Sequence, residues 1–278
     1  MLMEYQFTKM HGIGNDFVVF DTFSQSLTLT REQVRHIADR QIGVGCDQVL
    51  LLEPPKGSDV DVCYRIFNAD GGEVMQCGNG ARCVAVYLRE KGLVTKNRII
   101  AETRERQLIL NINDRGRVTV NMGVPEFEPA RIPLKDDELA EQYHLKLGDN
   151  EITFGAVSMG NPHAVIIVDD VDATAVHEIG LAVQHNGLFP EGVNVGFMQI
   201  LNQQAFKLRV YERGSAETLA CGSGACAAMV IACQQGYLEG TIDAELRGGH
   251  LTLCWAGEGE PVYMTGPATT VFEGTIEL

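Results

Sequence analysis

The chain has 278 residues, a length that usually divides into about two domains, and 45% of them are hydrophobic. Lys and Arg number 22 against 37 Asp and Glu, a net charge of −15 with no basic run, which excludes a nucleic-acid phosphate backbone as a partner. No apolar stretch reaches membrane-span length, and MLMEYQFTKMHG lacks the charged start and apolar core of a secretion signal, so a cytosolic protein is expected.

In chain order, short β-branched or alternating runs recur between Gly, Asn and Asp turns. They are FVVF at 17–20, VLLL at 49–52, VCYRIF at 62–67, RVTV at 117–120, AVIIV at 164–168, FKLRVY at 206–211 and LTLCW at 251–255. Thr30 and Gln33 make a capping-box pattern that predicts a helix over 30–40, and a second peripheral helix is predicted over 172–186, closed by Gly187. Two further helices follow cysteine turns, from Ala81 to Leu88 and from Ala225 to Cys233; apolar on every side, both must be buried.

Two blocks align without a gap. RIFNADGGEVMQCGNGAR (65–82) and RVYERGSAETLACGSGAC (209–226) pair Arg65 with Arg209, Glu73 with Glu217, Cys77 with Cys221, Gly78 with Gly222 and Gly80 with Gly224, all at an offset of 144. GNDFVV (14–19) and GNPHAV (160–165) pair Asn15 with Asn161 at an offset of 146, which also sets Gln48 beside Asn194. Three blocks in one order imply two homologous, pseudo-symmetric α+β domains. Each is expected as a curved mixed sheet or barrel around one central buried helix. The halves are 1–121 and 122–266, with Gly123, Pro125, Pro129 and Pro133 interrupting structure near the border, and the tail 267–278 returns to the first half.

Eight cysteines without a Cys-x-x-Cys pair, in a chain without a secretion signal, read as reduced, buried small hydrophobes. That holds for Cys63, Cys83, Cys233 and Cys254, and for Cys226 and Cys46. Cys77 and Cys221 differ, because each precedes a glycine turn running into a helix. There the sulfur meets unsatisfied N–H groups and the positive helix end, a setting that stabilises a thiolate or a substrate carboxylate. Two such thiols facing each other across one pocket, in a cleft between the halves, suit removal of a proton from one face of a carbon and its return to the other. This is racemase or epimerase chemistry on a small amino acid, with neither metal nor pyridoxal phosphate required. The halves break symmetry at two places: Glu212 occupies the position of Asn68, and His163 that of Phe17. Both are candidate tuning groups, and the amides Asn15, Gln48, Asn68, Asn161 and Asn194 are candidate pocket lining.

KMHGIGNDFVVFD (9–21), GVGCDQVLLLE (43–53), FNADGGEVMQCGNGARC (67–83), GAVSMGNPHAV (155–165), EGVNVGFM (191–198), YERGSAETLACGSGACAA (211–228) and GPATTVFEG (266–274) closely resemble the diaminopimelate epimerase family, over nearly the whole chain. The resemblance implies cofactor-independent isomerisation of LL- to meso-diaminopimelate, for lysine and peptidoglycan precursors, with Cys77 and Cys221 as the acid-base pair. It implies that Asn15, Gln48, Asn68, Asn161, Asn194, Glu212 and Arg213 contact substrate, that Gly78, Asn79, Gly222 and Ser223 grip the reacting carboxylate, and that His163 and Glu212 adjust the thiols. It further implies that the domains close on the ligand and that Phe272, where Tyr is common, lies at a homodimer contact. Cys46 and Ala216 depart from the family pattern, Ala in each being replaced or replacing Gly. An extra oxidisable thiol near the pocket is the alternative reading of Cys46, and an altered turn is expected at Ser215 and Ala216.

Two other functions fit the residues. One is a two-cysteine racemase for proline or hydroxyproline, against which Arg213 and the amides argue, since an unmatched buried charge is costly. The other is a thiol redox sensor forming a Cys77–Cys221 disulfide.

Overall fold

The computed structural model describes residues 3–55, 57–74, 77–104, 106–136, 138–148 and 150–278; Met75 and Gln76 of the first repeat block lie outside them. The chain divides into two compact units, Met1–Val120 with Gly266–Leu278, and Asn121–Thr265. Among the described residues no helix is long and apolar enough to cross a membrane.

The first unit contains β1 (Glu4–Gly12), β2 (Asn15–Asp21), α1 (Arg31–Ala38), β3 (Gln48–Glu53), β4 (Val62–Asn68), β5 (Glu73–Val74), α2 (Gly78–Glu90), β6 (Arg98–Glu102), β7 (Gln107–Ile112), β8 (Val118–Gly123) and the chain's last strand, β18 (Thr269–Glu277). Its strand order is β18-β1-β2-β3-β4-β6-β7-β8, with β5 hairpinned onto β4. Among the described pairings only β2–β3 and β4–β6 are parallel, and these are the pairs whose connections carry α1 and α2, as parallel neighbours require a crossover. The uninterrupted apolar runs in β2 and β3 follow from burial on both faces. Val18, Phe20, Val49 and Leu51 join Val34 and Ile37 of α1 in one core cluster, while Phe17 and Leu50 face the start of α2.

The second unit contains β9 (Tyr143–Leu147), β10 (Asn150–Ser158), β11 (Pro162–Ile167), α3 (Val176–Gln184), β12 (Asn194–Asn202), β13 (Ala205–Glu212), β14 (Ala216–Thr218), α4 (Gly222–Gln234), β15 (Thr241–Leu246), β16 (Gly249–Trp255) and β17 (Val262–Gly266). Its order is β9-β10-β11-β12-β13-β15-β16-β17, with β14 hairpinned onto β13 and, among the described pairings, only β11–β12 and β13–β15 parallel. Strand for strand this is the pattern of the first unit, with β18 filling the place that β9 holds here. Both units are thus mixed sheets with one peripheral and one buried helix. The repeated Arg–Glu pairs have a common use. Arg65 forks onto Glu73 at 2.9 and 2.8 Å, and Arg209 onto Glu217 at 2.7 and 2.9 Å, each tying the short hairpin strand to its neighbour.

Thr30 caps α1 with both capping-box hydrogen bonds. The second peripheral helix is shorter than 172–186: residues before Val176 are drawn into a turn around Asp170, whose Oδ1 accepts from the N–H of Asp172 and Ala173. It ends at His185, and Gly187 does not adopt the left-handed conformation of a closing glycine. Two cysteines also differ from expectation. Cys254 is exposed and Cys233 half-buried, because β16 and the last turn of α4 turn those positions outward.

Candidate active site

In the first unit Cys77 is the N-cap of α2, with extended backbone (φ −149°, ψ 113°), and its Sγ accepts from Gly80 N–H at 3.4 Å. Glycine is needed as the second glycine of the Cys-Gly-x-Gly turn because the first helical turn lies against the sheet. A Cβ on Gly80 would stand 3.3 Å from Phe17, and one on Gly224 would stand 3.1 Å from Val210 and 3.2 Å from Cys221 Sγ. Asn15 begins β2 directly after a two-residue hairpin turn, Ile13 and Gly14, both with positive φ (50° and 93°). A β-branched residue in that region is strained, and here the strained turn sets the position of Asn15. Asn15 Oδ1 accepts from Asn79 Nδ2 at 3.1 Å and from the Cys77 thiol at 3.7 Å, while its Nδ2 donates to Asp47 at 2.9 Å. Gln48 and Asn68 are cross-strand neighbours joined by a 2.8 Å bond from Gln48 Nε2; Gln48 Oε1 is buried without a partner among the described residues.

Four charged residues that the sequence did not single out stiffen this region. Lys9, almost wholly buried, pairs with Asp16 at 2.6 Å and also donates to Gly45 O; Arg40 forks onto Asp16 at 3.0 and 2.8 Å and reaches Asp47 at 2.8 Å. Burial works to raise the Asp16 carboxyl, but the hydrogen bonds from Arg40 and Lys9 outweigh it and hold the group well below the usual carboxylate range. Asp16 and Asp47 come from distant segments, so no local signal pairs them. Arg82 was also missed, although an arginine on an otherwise apolar helix is a signal. It is fully buried, and donates to Asn79 Oδ1 at 2.9 Å and to Pro267 O at 3.1 Å.

In the second unit Cys221 is the N-cap of α4. Burial pushes its thiol well up, and the adjacent Glu212 carboxylate adds to this both by its charge and by accepting a hydrogen bond, partly offset by the Gly224 N–H and the Ser223 hydroxyl. Glu212 is positioned in turn by a hydrogen bond from Thr218 across the β13–β14 hairpin. The register sets His163 beside Asn194, just as it sets Phe17 beside Gln48 in the first unit. His163 is buried, with one ring nitrogen 3.0 Å from Asn161 Oδ1, and burial together with the Arg213 charge lowers its pKa to about 3, so the imidazole is neutral. Asn161 Nδ2 donates to Ser223 Oγ at 3.3 Å, and Ser223 Oγ lies 3.7 Å from Cys221 Sγ. Asn194 Oδ1 accepts from the Arg213 N–H at 3.0 Å, and the exposed Arg213 guanidinium is tethered to Glu191 O at 2.9 Å.

The expected residues therefore form two clusters, each inside its own unit: Asn15, Cys77, Gly78 and Asn79 with the Gln48–Asn68 pair in the first, and Asn161, His163, Asn194, Glu212, Arg213, Cys221, Gly222 and Ser223 in the second. Phe272 lies apart on β18, half-exposed and edge-on to Phe7 at 5.9 Å. Cys46 is buried, in keeping with its reading as a small hydrophobe, and loss of solvent pushes its pKa up to about 12, against the alternative of an oxidisable thiol. Ala216 adopts a positive φ of 57°, so Ala stands in a conformation that favours glycine. Among the described residues no three His, Cys, Asp or Glu converge as metal ligands.

A family model described as diaminopimelate epimerase matches residues 7–128 and 155–271. Solved structures share the fold. A hydroxyproline epimerase from Agrobacterium vitis superposes with a TM-score of 0.70 at 18% identity, covering 99% of this chain and 93% of that one. A PhzF-family phenazine biosynthesis protein from Bacillus anthracis gives 0.72 at 17%, covering 99% and 100%. A probable proline racemase from Agrobacterium radiobacter gives 0.71 at 17%, covering 99% and 93%.

Proposed function

Since this chain belongs to the diaminopimelate epimerase family, an isomerase family of the epimerase and racemase kind, we propose that it interconverts LL- and meso-diaminopimelate with two cysteine acid-base groups. The observation that carries the reading is the repeated thiol cap: Cys77 and Cys221 stand at equivalent places, each at the N-terminus of a buried helix. The N–H groups of Gly78, Asn79, Gly222 and Ser223, at the positive helix ends, hold the substrate carboxylate and stabilise charge developing at the α-carbon.

In one direction the Cys77 thiolate takes the α-proton, the C–H electron pair passes to the α-carbon and its carboxylate, and the Cys221 thiol delivers its proton to the opposite face. Cys77 is left as thiol and Cys221 as thiolate, and the reverse direction exchanges them. The conditions that keep Cys221 protonated support it as the donor: burial, and Glu212 beside it. The pair titrates as a coupled system in the working enzyme. Gln48 Oε1, a buried acceptor without a partner among the described residues, accepts from a substrate ammonium, and Arg213 pairs with the distal carboxylate. Two chains associate through the β18 face bearing Phe272, in the cytosol.

Solvent deuterium exchange tests the proposal. LL-diaminopimelate should gain deuterium at one α-carbon and yield the meso isomer. Turnover of L-proline or hydroxyproline in its place would assign the chain to another substrate in the same chemical group. Sedimentation of wild type and Phe272→Glu tests the association, which the charged variant should weaken.

A further inference from the structure

The hydrogen bonds around Cys77 run in one direction. Arg82 is a donor only, so Asn79 must offer it Oδ1, at 2.9 Å, and Asn79 Nδ2 must point away, toward Asn15 Oδ1 at 3.1 Å. Asp47, as a carboxylate, is an acceptor only, so Asn15 must offer it Nδ2, at 2.9 Å, and Oδ1 must again point away from Asp47. The two ends demand the same orientation of both amides. Arg82 is anchored by Pro267 O and by complete burial, and Asp47 by Arg40 and the Asp16 N–H at 3.2 Å. Asn15 Oδ1, the atom whose orientation this chain settles, lies 3.7 Å from Cys77 Sγ.

We infer that Asp47 and Arg82 are positioning residues for Cys77: between them they lock the Asn15 amide with its oxygen, rather than its nitrogen, toward the sulfur. An oxygen there accepts the S–H and gives that proton a fixed direction, and it disfavours a thiolate until another group takes the Asn15 contact over; a nitrogen would donate to a thiolate and promote ionisation. Among the described interactions, Tyr64 on β4 and Cys83 on α2 are titratable groups that face Cys77. Burial pushes both up, so neither carries charge near neutral pH. The Asn15 oxygen thus works against the Gly80 N–H, which donates to the same sulfur at 3.4 Å. The inference rests on the proposed function only in treating Cys77 as the reactive thiol.

The test is substrate-free alkylation of Cys77 by iodoacetamide, read by mass spectrometry of its peptide, in the full-length protein and in Asp47→Ala, Asn15→Ala and the double variant. Asp47 is nearly half exposed, so its removal leaves the core intact, and a thermal melt verifies this. Asp47→Ala should speed alkylation at pH 7 by roughly threefold to tenfold, converging with wild type at alkaline pH where every thiol is ionised. Asn15→Ala should do the same, and the double variant should be no faster than either single one. If Asp47→Ala leaves the rate unchanged, or if its effect persists in full in the Asn15→Ala background, the amide relay is wrong. Should Asp47→Ala melt early, Asp47→Ser supplies the same comparison. Because no substrate is present, the result is independent of which amino acid is turned over.

Discussion

The two units carry one framework and two chemistries. Strand order, parallel pairs, helix placement and the Arg–Glu fork are the same in both, and so is the thiol at the tip of the buried helix. Around that thiol they diverge. In the first unit Cys77 meets neutral amides, and the charged groups Lys9, Asp16, Arg40 and Asp47 stand behind Asn15. In the second, Cys221 meets a carboxylate directly, with a neutral buried imidazole close by in the same cluster. Duplication preserved what holds a sheet on a helix, whereas the groups at the positions of Phe17 and His163, and of Asn68 and Glu212, were free to differ because neither pair carries the framework. A substrate with two unlike faces requires such a difference.

The largest expected effect comes from removing either thiol. Cys77→Ser and Cys221→Ser should each lower turnover by about 10²- to 10⁴-fold with an unchanged thermal melt; near-normal turnover in either would end the two-base reading. Glu212→Gln attacks the asymmetry itself. It removes the neighbouring charge that helps hold Cys221 protonated, so in a Cys77→Ser background the Cys221 thiolate absorbance should appear at lower pH, and turnover should fall about tenfold to a hundredfold.

His163 supplies a stability test with a definite sign. Its pKa is lowered from 6.5 to about 3, so below pH 6.5 the unfolded chain binds a proton that the folded unit refuses. Stability is then lost as pH falls through that window. His163→Phe, which copies Phe17, should flatten this part of the melting-temperature curve, measured from pH 7 down to about pH 4. A smaller contrast is expected between the two forks. Arg209 also donates to Val171 O at 2.9 Å and is less exposed than Arg65, so Arg209→Ala should cost about 1–3 kcal/mol in denaturant unfolding and Arg65→Ala about 1 kcal/mol or less. Least of all, Ala216→Gly should stabilise the second unit by about 0.5–1 kcal/mol, by relieving the positive φ.

Much of this was legible in the chain. Short β-branched or alternating runs located β2, β3, β4, β11, β13 and β16, the unbroken apolar stretches announced α2 and α4, and a single offset paired Cys77 with Cys221. Other features were not legible, for identifiable reasons. The Asp170 turn shortened α3 because a side-chain oxygen captured two backbone N–H groups that a helix pattern counts as its own. Cys254 falls on an outward position of β16, which its sulfur chemistry cannot reveal. Lys9, Arg40, Arg82 and Asp47 each gain part of their role from a partner two dozen residues or more away.

By itself, then, the order of residues determined the duplication, the strand and helix types and the identity of the capping thiols, because these depend on periodicity and on chemistry within a few positions. Only the tertiary structure decided which way the Asn15 and Asn79 amides point and that Cys221 is held as a thiol. Ionisation and hydrogen-bond direction depend on burial and on charges that folding brings near, and neither is written in local sequence.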